Sequence, residues 1–138
     1  MRRQDKYPDT EYFHYENVNP KNRFTGDCVY RAIAKAMGWT WTKTVKTLTD
    51  WALETGYSPN SVENYSRFLQ AHGFEKHPQP RHDDRTKYTL REFINEHKTG
   101  TYVVNMPGHT TVVVDGKNID IWDCSRSRSK IGNFWEVQ

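Results

Sequence analysis

The chain has 138 residues, 35% of them hydrophobic and 14% aromatic, with five Trp, eight Tyr and a formal net charge of +3. That length supports one core and not two, and the aromatic content argues for a packed globule over disorder. Lys and Arg are scattered, which argues against a nucleic-acid partner, and two cysteines without a C-x-x-C pair give neither a disulfide framework nor a zinc signature. No apolar run approaches membrane-spanning length, and the opening residues lack the apolar core of a signal peptide. The expectation is a cytoplasmic protein with no membrane contact, no cofactor and no metal, whose cysteines remain free thiols.

Residues 1 to about 20 read as a polar and aromatic arm, with a short strand around Tyr12 to Tyr15. Asp27 is placed to cap a first helix that runs to Met37 and closes at Gly38. Val29, Ala32, Ile33, Ala36 and Met37 recur at helical spacing along it. A second helix is predicted from Thr42 to Thr55, with Val45, Leu48, Ala52 and Leu53 inward and Gly56 as its stop. Asn60-Ser61-Val62-Glu63 reads as a capping box opening a third helix, which ends at Gly73. Pro78 to Arg85 reads as a solvated loop, and Thr89-Leu90-Arg91-Glu92 is a second capping box, opening a short helix to about His97.

After residue 100 the period changes from helical to alternating. Thr101–Met106 and His109–Val114 read as strands, Asp115-Gly116-Lys117-Asn118 as a hairpin turn, and Ile119–Asp123 as the returning strand. Asn133 to Val137 adds a last strand. The predicted class is α+β in a single domain over 1–138, with a helical part over 27–97 packed on an antiparallel sheet over 101–137.

The chemistry-bearing signal is Cys28. A glycine-containing turn, Thr25-Gly26-Asp27, leads into it, so the thiol sits in the first turn of a helix. Backbone N–H groups and the positive end of the helix dipole favour thiolate there. Cys124 follows a strand and lacks that setting. Of the six histidines, His109 leads an apolar strand straight after Pro107-Gly108, which places it on a sheet rim. His14 lies in the arm, and His72, His77, His82 and His97 fall at helix ends or in polar loops. Asp115 is six residues from His109, roughly 20 Å along an extended strand, so Asp123 on the returning strand is the expected carboxylate partner. A two-residue loop would turn Asp123 to the opposite face from His109, and a three-residue loop with a glycine bulge would keep it on the same face. Asn22, six residues before Cys28, can supply a side-chain donor to an oxyanion beside the Cys28 N–H.

In order, these stretches resemble a papain-like cysteine peptidase, and most closely the bacterial leader-peptidase branch that processes double-glycine bacteriocin precursors. The likeness is carried by Gly26-Asp27-Cys28 with Ala32, Leu69-Gln70-Ala71-His72-Gly73-Phe74, Thr89-Leu90-Arg91-Glu92-Phe93-Ile94, Gly108-His109 with the strand that follows, and Ile121-Trp122-Asp123. It spans about residues 22 to 124. The resemblance implies a papain-like fold, Cys28 as nucleophile, His109 as base, Asp123 as orienter, and a peptide or protein substrate cleaved through an acyl-enzyme. That branch carries Gln where Asn22 stands, and Asp-Pro where this chain has Asp123-Cys124. The same triad also serves amidases, deamidases and acyltransferases. Two other classes compete. One is a non-catalytic binding module presenting Tyr12, Phe13, Tyr15, Trp39 and Trp41 beside the basic Arg126, Arg128 and Lys130. The other is a zinc site built from Cys28, His109 and Cys124.

Overall fold

The computed structural model describes residues 1–137. A one-turn helix, α1 (Arg3–Lys6), and a short strand, β1 (Phe13–Tyr15), form the arm. Three helices follow: α2 (Cys28–Met37), α3 (Trp41–Thr55) and α4 (Val62–Ala71). Next come β2 (Phe74–His77) and α5 (Leu90–Glu96), then β3 (Thr101–Met106), β4 (His109–Val114) and β5 (Lys117–Asp120). A 3-10 turn (Cys124–Arg126) and β6 (Phe134–Val137) complete the described chain.

The class is α+β, but the sheet is mixed and draws on more of the chain than expected. Its order is β1-β5-β4-β3-β6-β2, so strands from before residue 100 form both edges. β1 runs parallel to β5, and every other neighbouring pair is antiparallel. β2 had no strand signal of its own, because Phe74-Glu75-Lys76-His77 carries a single apolar residue. Its pairing with β6 supplies what its composition lacks.

Local signals set most helix ends. Thr40 and Ser61 cap α3 and α4 by accepting from the N–H groups of Lys43 and Asn64. The box read from Asn60 is therefore not formed, and Ser61 is the cap. Thr89 and Glu92 do make the full reciprocal box at α5. Helix α3 differs in its inward face. Thr44 and Leu48 are buried, whereas Leu53 is 79% exposed.

Two apolar clusters cover the two faces of the sheet. Val29, Ile33, Leu48, Tyr65, Phe68 and Leu69 of α2–α4 meet Val103 and Trp135. Leu90, Phe93 and Ile94 of α5 meet Tyr102, Val104 and Phe134 on the other face. The alternation Tyr102, Val103, Val104 along β3 thus divides the core between the two helical layers. No helix among the described residues is long and apolar enough to cross a membrane.

Candidate active site

Cys28 is the first residue of α2, and Asp27 stands at its N-cap position without making a side-chain cap bond. The Asp27 carboxylate is committed elsewhere. It accepts from Arg31 Nε (2.9 Å), Trp41 Nε1 (3.0 Å) and Asn19 Nδ2 (3.0 Å), in a setting only 2% exposed. These bonds fix the chain as it enters the helix. Helix α2 lies against β4, which brings the half-buried Cys28 thiol to the strand's opening residues. There the His109 ring and the Thr110 N–H face the thiol closely enough to favour its ionised form.

His109 is held from its other side by Asp120, with Nε2 2.8 Å from Oδ2. That contact leaves Nδ1 as the ring nitrogen for Cys28. Asp120 is 3% exposed and receives four further bonds: Thr111 Oγ1 at 2.7 Å, Arg31 Nη1 at 2.6 Å, its neighbour's Ile121 N–H at 2.7 Å and Cys124 Sγ at 3.3 Å. The Trp122 ring, 5.0 Å from the imidazole between centroids, lies beside His109. Cys28, His109, Asp120, Arg31 and Asp27 form one largely buried chain of alternating charge.

Charge follows from this geometry. Burial raises the Cys28 pKa, but the His109 hydrogen bond, the Thr110 N–H and the positive charges of His109 and Arg31 outweigh it, leaving the pKa below the ordinary thiol value. For His109, burial disfavours the cation, yet its bonds to Asp120 and Cys28 carry the pKa up to about 9. Burial opposes ionisation of Asp120 as well. His109 and Arg31 prevail and lower its pKa to about 2. Cys124 goes the other way: burial and the Asp120 charge push its thiol well above the usual range. The two cysteines thus differ in kind, ionisation being favoured at Cys28 and opposed at Cys124.

The orienter expected from sequence, Asp123, is not the residue that meets His109. The hairpin loop is two residues long, Asp115 and Gly116, at φ 47° and 79°. Val114 pairs with Lys117 and Val112 with Ile119, so the register places Asp120 opposite Thr111 on the face of His109. The chain leaves β5 after Asp120. Asp123 instead caps the 3-10 turn, accepting from the Ser125 N–H and hydroxyl.

Asn22 is also displaced from its expected role. It is exposed at φ 54°, and its side-chain oxygen accepts from Asn17 Nδ2 at 3.3 Å. It does not line the cleft of about 280 Å³ beside the thiol, whose walls include Val29, Val62 and Met106, with Asn60, Tyr65 and Asn105 supplying polar groups. The Tyr65 hydroxyl lies 3.3 Å from Thr110 Oγ1. Burial, and after it the nearby Cys28 charge, raise the Tyr65 pKa to about 12, so the phenol stays a hydrogen-bond donor. Arg31 and Tyr65 were not anticipated as site residues. The Asp27–Arg31 spacing of one helical turn was the readable signal for Arg31, whereas Tyr65 looked like core at helical spacing.

The other histidines are engaged away from the thiol. His14 meets Asp9, His72 and His97 meet the backbone carbonyls of Phe68 and Phe93, His77 meets Glu136, and His82 stacks on Tyr88. The aromatic set of the binding-module reading is largely used internally. Phe13 is fully buried, Trp39 packs on Phe68, and Trp41 bonds Asp27. A zinc site on Cys28, His109 and Cys124 does not assemble, although His109, Asp120 and Cys124 do converge within 4.8 Å. A cation among those three would sit beside the Arg31 guanidinium already paired with Asp120.

No protein-family model matches the chain, and neither a curated protein nor a solved structure shows significant similarity to it.

Proposed function

We propose that the protein is a thiol hydrolase on a papain-like fold, acting on a peptide or amide bond through Cys28, His109 and Asp120. The observation that carries this reading is the arrangement around one imidazole. A helix-start thiol takes one side of the ring and a buried carboxylate the other.

The chemistry follows from the charges. The Cys28 thiolate attacks the substrate carbonyl carbon, forming a C–S bond and placing negative charge on the carbonyl oxygen. The Cys28 N–H, a first-turn group with no partner within its helix, and the Tyr65 hydroxyl supply donors for that oxygen. The imidazolium gives its proton to the leaving amine as the C–N bond breaks, leaving a thioester and neutral His109. Water then attacks the thioester with its proton passing to His109, the acid is released, and the thiolate–imidazolium pair is restored. Asp120 keeps its charge throughout and holds the ring in one tautomer and orientation. An amine in place of water in the second half would make the same site an acyltransferase.

The test is acyl-enzyme trapping at near-neutral pH with a fluorogenic peptide library, followed by intact-mass and peptide mapping. The expected result is an acyl adduct on Cys28 that Cys28→Ser does not form as a thioester and His109→Ala suppresses. Turnover that survives Cys28→Ala, or a Cys28 that alkylates only as fast as a free peptide thiol, would overturn the reading.

A further inference from the structure

On the far edge of the sheet, Glu75 and His77 lie two residues apart on one face of β2, and Glu136 stands directly opposite Glu75 on β6. His77 Nε2 is 2.9 Å from Glu136 Oε1 and 3.6 Å from Glu75 Oε2, and the three donor atoms fall within 4.8 Å of one another. Donors bound to one zinc at about 2.0–2.1 Å in tetrahedral geometry lie about 3.3 Å apart, between the two His77 separations. Little movement separates this arrangement from a coordination shell.

We propose that Glu75, His77 and Glu136 form a divalent metal site for a first-row transition ion of the zinc type, separate from the Cys28 cleft. The donor set is mixed, one imidazole and two carboxylates, which suits zinc-like ions better than a hard cation such as Mg²⁺. Its frame is ordered. The His77 ring stacks on Phe134 with centroids 4.7 Å apart and planes within 17°, which fixes the direction of Nε2. Tyr102 pairs with Glu136 in the strand register, and its hydroxyl donates to the Thr99 carbonyl at 3.0 Å, outside the donor set. The three side chains are 30%, 51% and 37% exposed for His77, Glu75 and Glu136, so an ion bound there keeps positions open to water. The site ties the edge strand β2 to its neighbour β6, so occupancy should stabilise this end of the sheet.

Cobalt(II) titration of the full chain tests this, with visible absorption and histidine NMR as readouts. One equivalent should bind with ligand-field bands and no thiolate-to-metal charge transfer, shifting the His77 ring resonances and leaving those of His109 in place. Cys28→Ser should leave that uptake unchanged, and His77→Ala and Glu75→Gln should each abolish it. Added Zn²⁺ should raise the Tm of the unsubstituted protein and not of His77→Ala. The inference is overturned by no uptake, by uptake that moves His109 and not His77, or by charge-transfer bands lost with Cys28→Ser. The NMR readout uses the unsubstituted protein, so the result stands even where a variant fails to fold.

Discussion

His109 Nε2 and Asp120 Oδ2 are 2.8 Å apart, and it is the two-residue Asp115-Gly116 turn that places them there. One residue more in that loop would reverse the face on which every β5 side chain stands. The site's geometry is therefore written in the hairpin as much as in the identities of Cys28, His109 and Asp120.

Asp120→Asn should cut turnover by on the order of 10²–10⁴-fold, because an amide cannot stabilise the imidazolium and selects the wrong tautomer. The His109 pKa should fall from about 9 toward its ordinary 6.5, read from the ring protons by NMR. Asp123→Asn should leave turnover nearly unchanged and weaken only the cap of the 3-10 turn, by at most about 1 kcal/mol in urea unfolding. The reverse ranking would return the orienting role to Asp123.

Cys28 and Cys124 should separate sharply in alkylation by iodoacetamide near neutral pH. Cys28 is half-buried with its pKa lowered by His109 and the Thr110 N–H, while Cys124 is buried with its pKa raised. His109→Ala should slow labelling of Cys28 near neutral pH by on the order of 10-fold, since a helix dipole alone is worth less than about one pKa unit. Equal labelling of both thiols in the folded protein would remove the thiolate from the site.

Local chemistry made the placement of Cys28 and His109 legible. The turn before Cys28, the Pro107-Gly108 break before His109, and the caps of Thr89 and Gly38 act over a few residues, and the structure keeps them. What the sequence hid depends on long-range pairing. β2 is a strand because β6 lies beside it, and β1, expected as a short strand, gave no local sign that it would run parallel to β5. Asp120 looked like an interior strand residue until the loop length fixed its partner. Arg31 lay within an otherwise apolar helix face, and its purpose is visible only once Asp120, 89 positions away, is set against it.

Arg31 bridges two buried carboxylates, at 2.9 Å from Asp27 and 2.6 Å from Asp120, and is itself 7% exposed. Arg31→Met should destabilise the fold by about 3–5 kcal/mol, because it leaves two buried carboxylates without their shared cation. Arg31→Lys keeps the charge but offers one nitrogen where the guanidinium offers two, so it should recover part of that loss. Chemical denaturation of both variants measures it. An Arg31→Met protein as stable as the parent would mean the network contributes nothing to the fold.

Tyr65→Phe removes one hydroxyl from the cleft and preserves the ring that packs 5.2 Å from Trp135. If the phenol donates to the developing oxyanion, kcat should fall by about 10²–10³-fold. The alkylation rate of Cys28, which forms no oxyanion, should change by less than about 2-fold. Losses shared equally by both reactions would show that Tyr65 acts by positioning the thiol and not by binding the oxyanion.

Stability should carry the signature of His109 at alkaline pH. Its folded pKa, about 9, lies above the ordinary 6.5, so its contribution is complete below about pH 6.5 and is lost as pH rises through about 9. Cys28 opposes this, since a lowered thiol pKa adds stability as the thiol ionises in the folded state. Cys28→Ser removes that opposition, and its Tm should fall more steeply between about pH 6.5 and 9 than the parent's. The end of the fall should move somewhat below 9, because the thiolate no longer helps hold the imidazolium. At the acid end the order is reversed: Asp120, lowered to about 2 from 3.8, contributes fully above its ordinary pKa and loses that contribution as pH falls toward 2. A second substitution, His109→Gln, should flatten the alkaline slope and also reduce the acid one, because His109 is the foremost of the groups that lower Asp120. A slope that survives it would assign the alkaline loss to some other group.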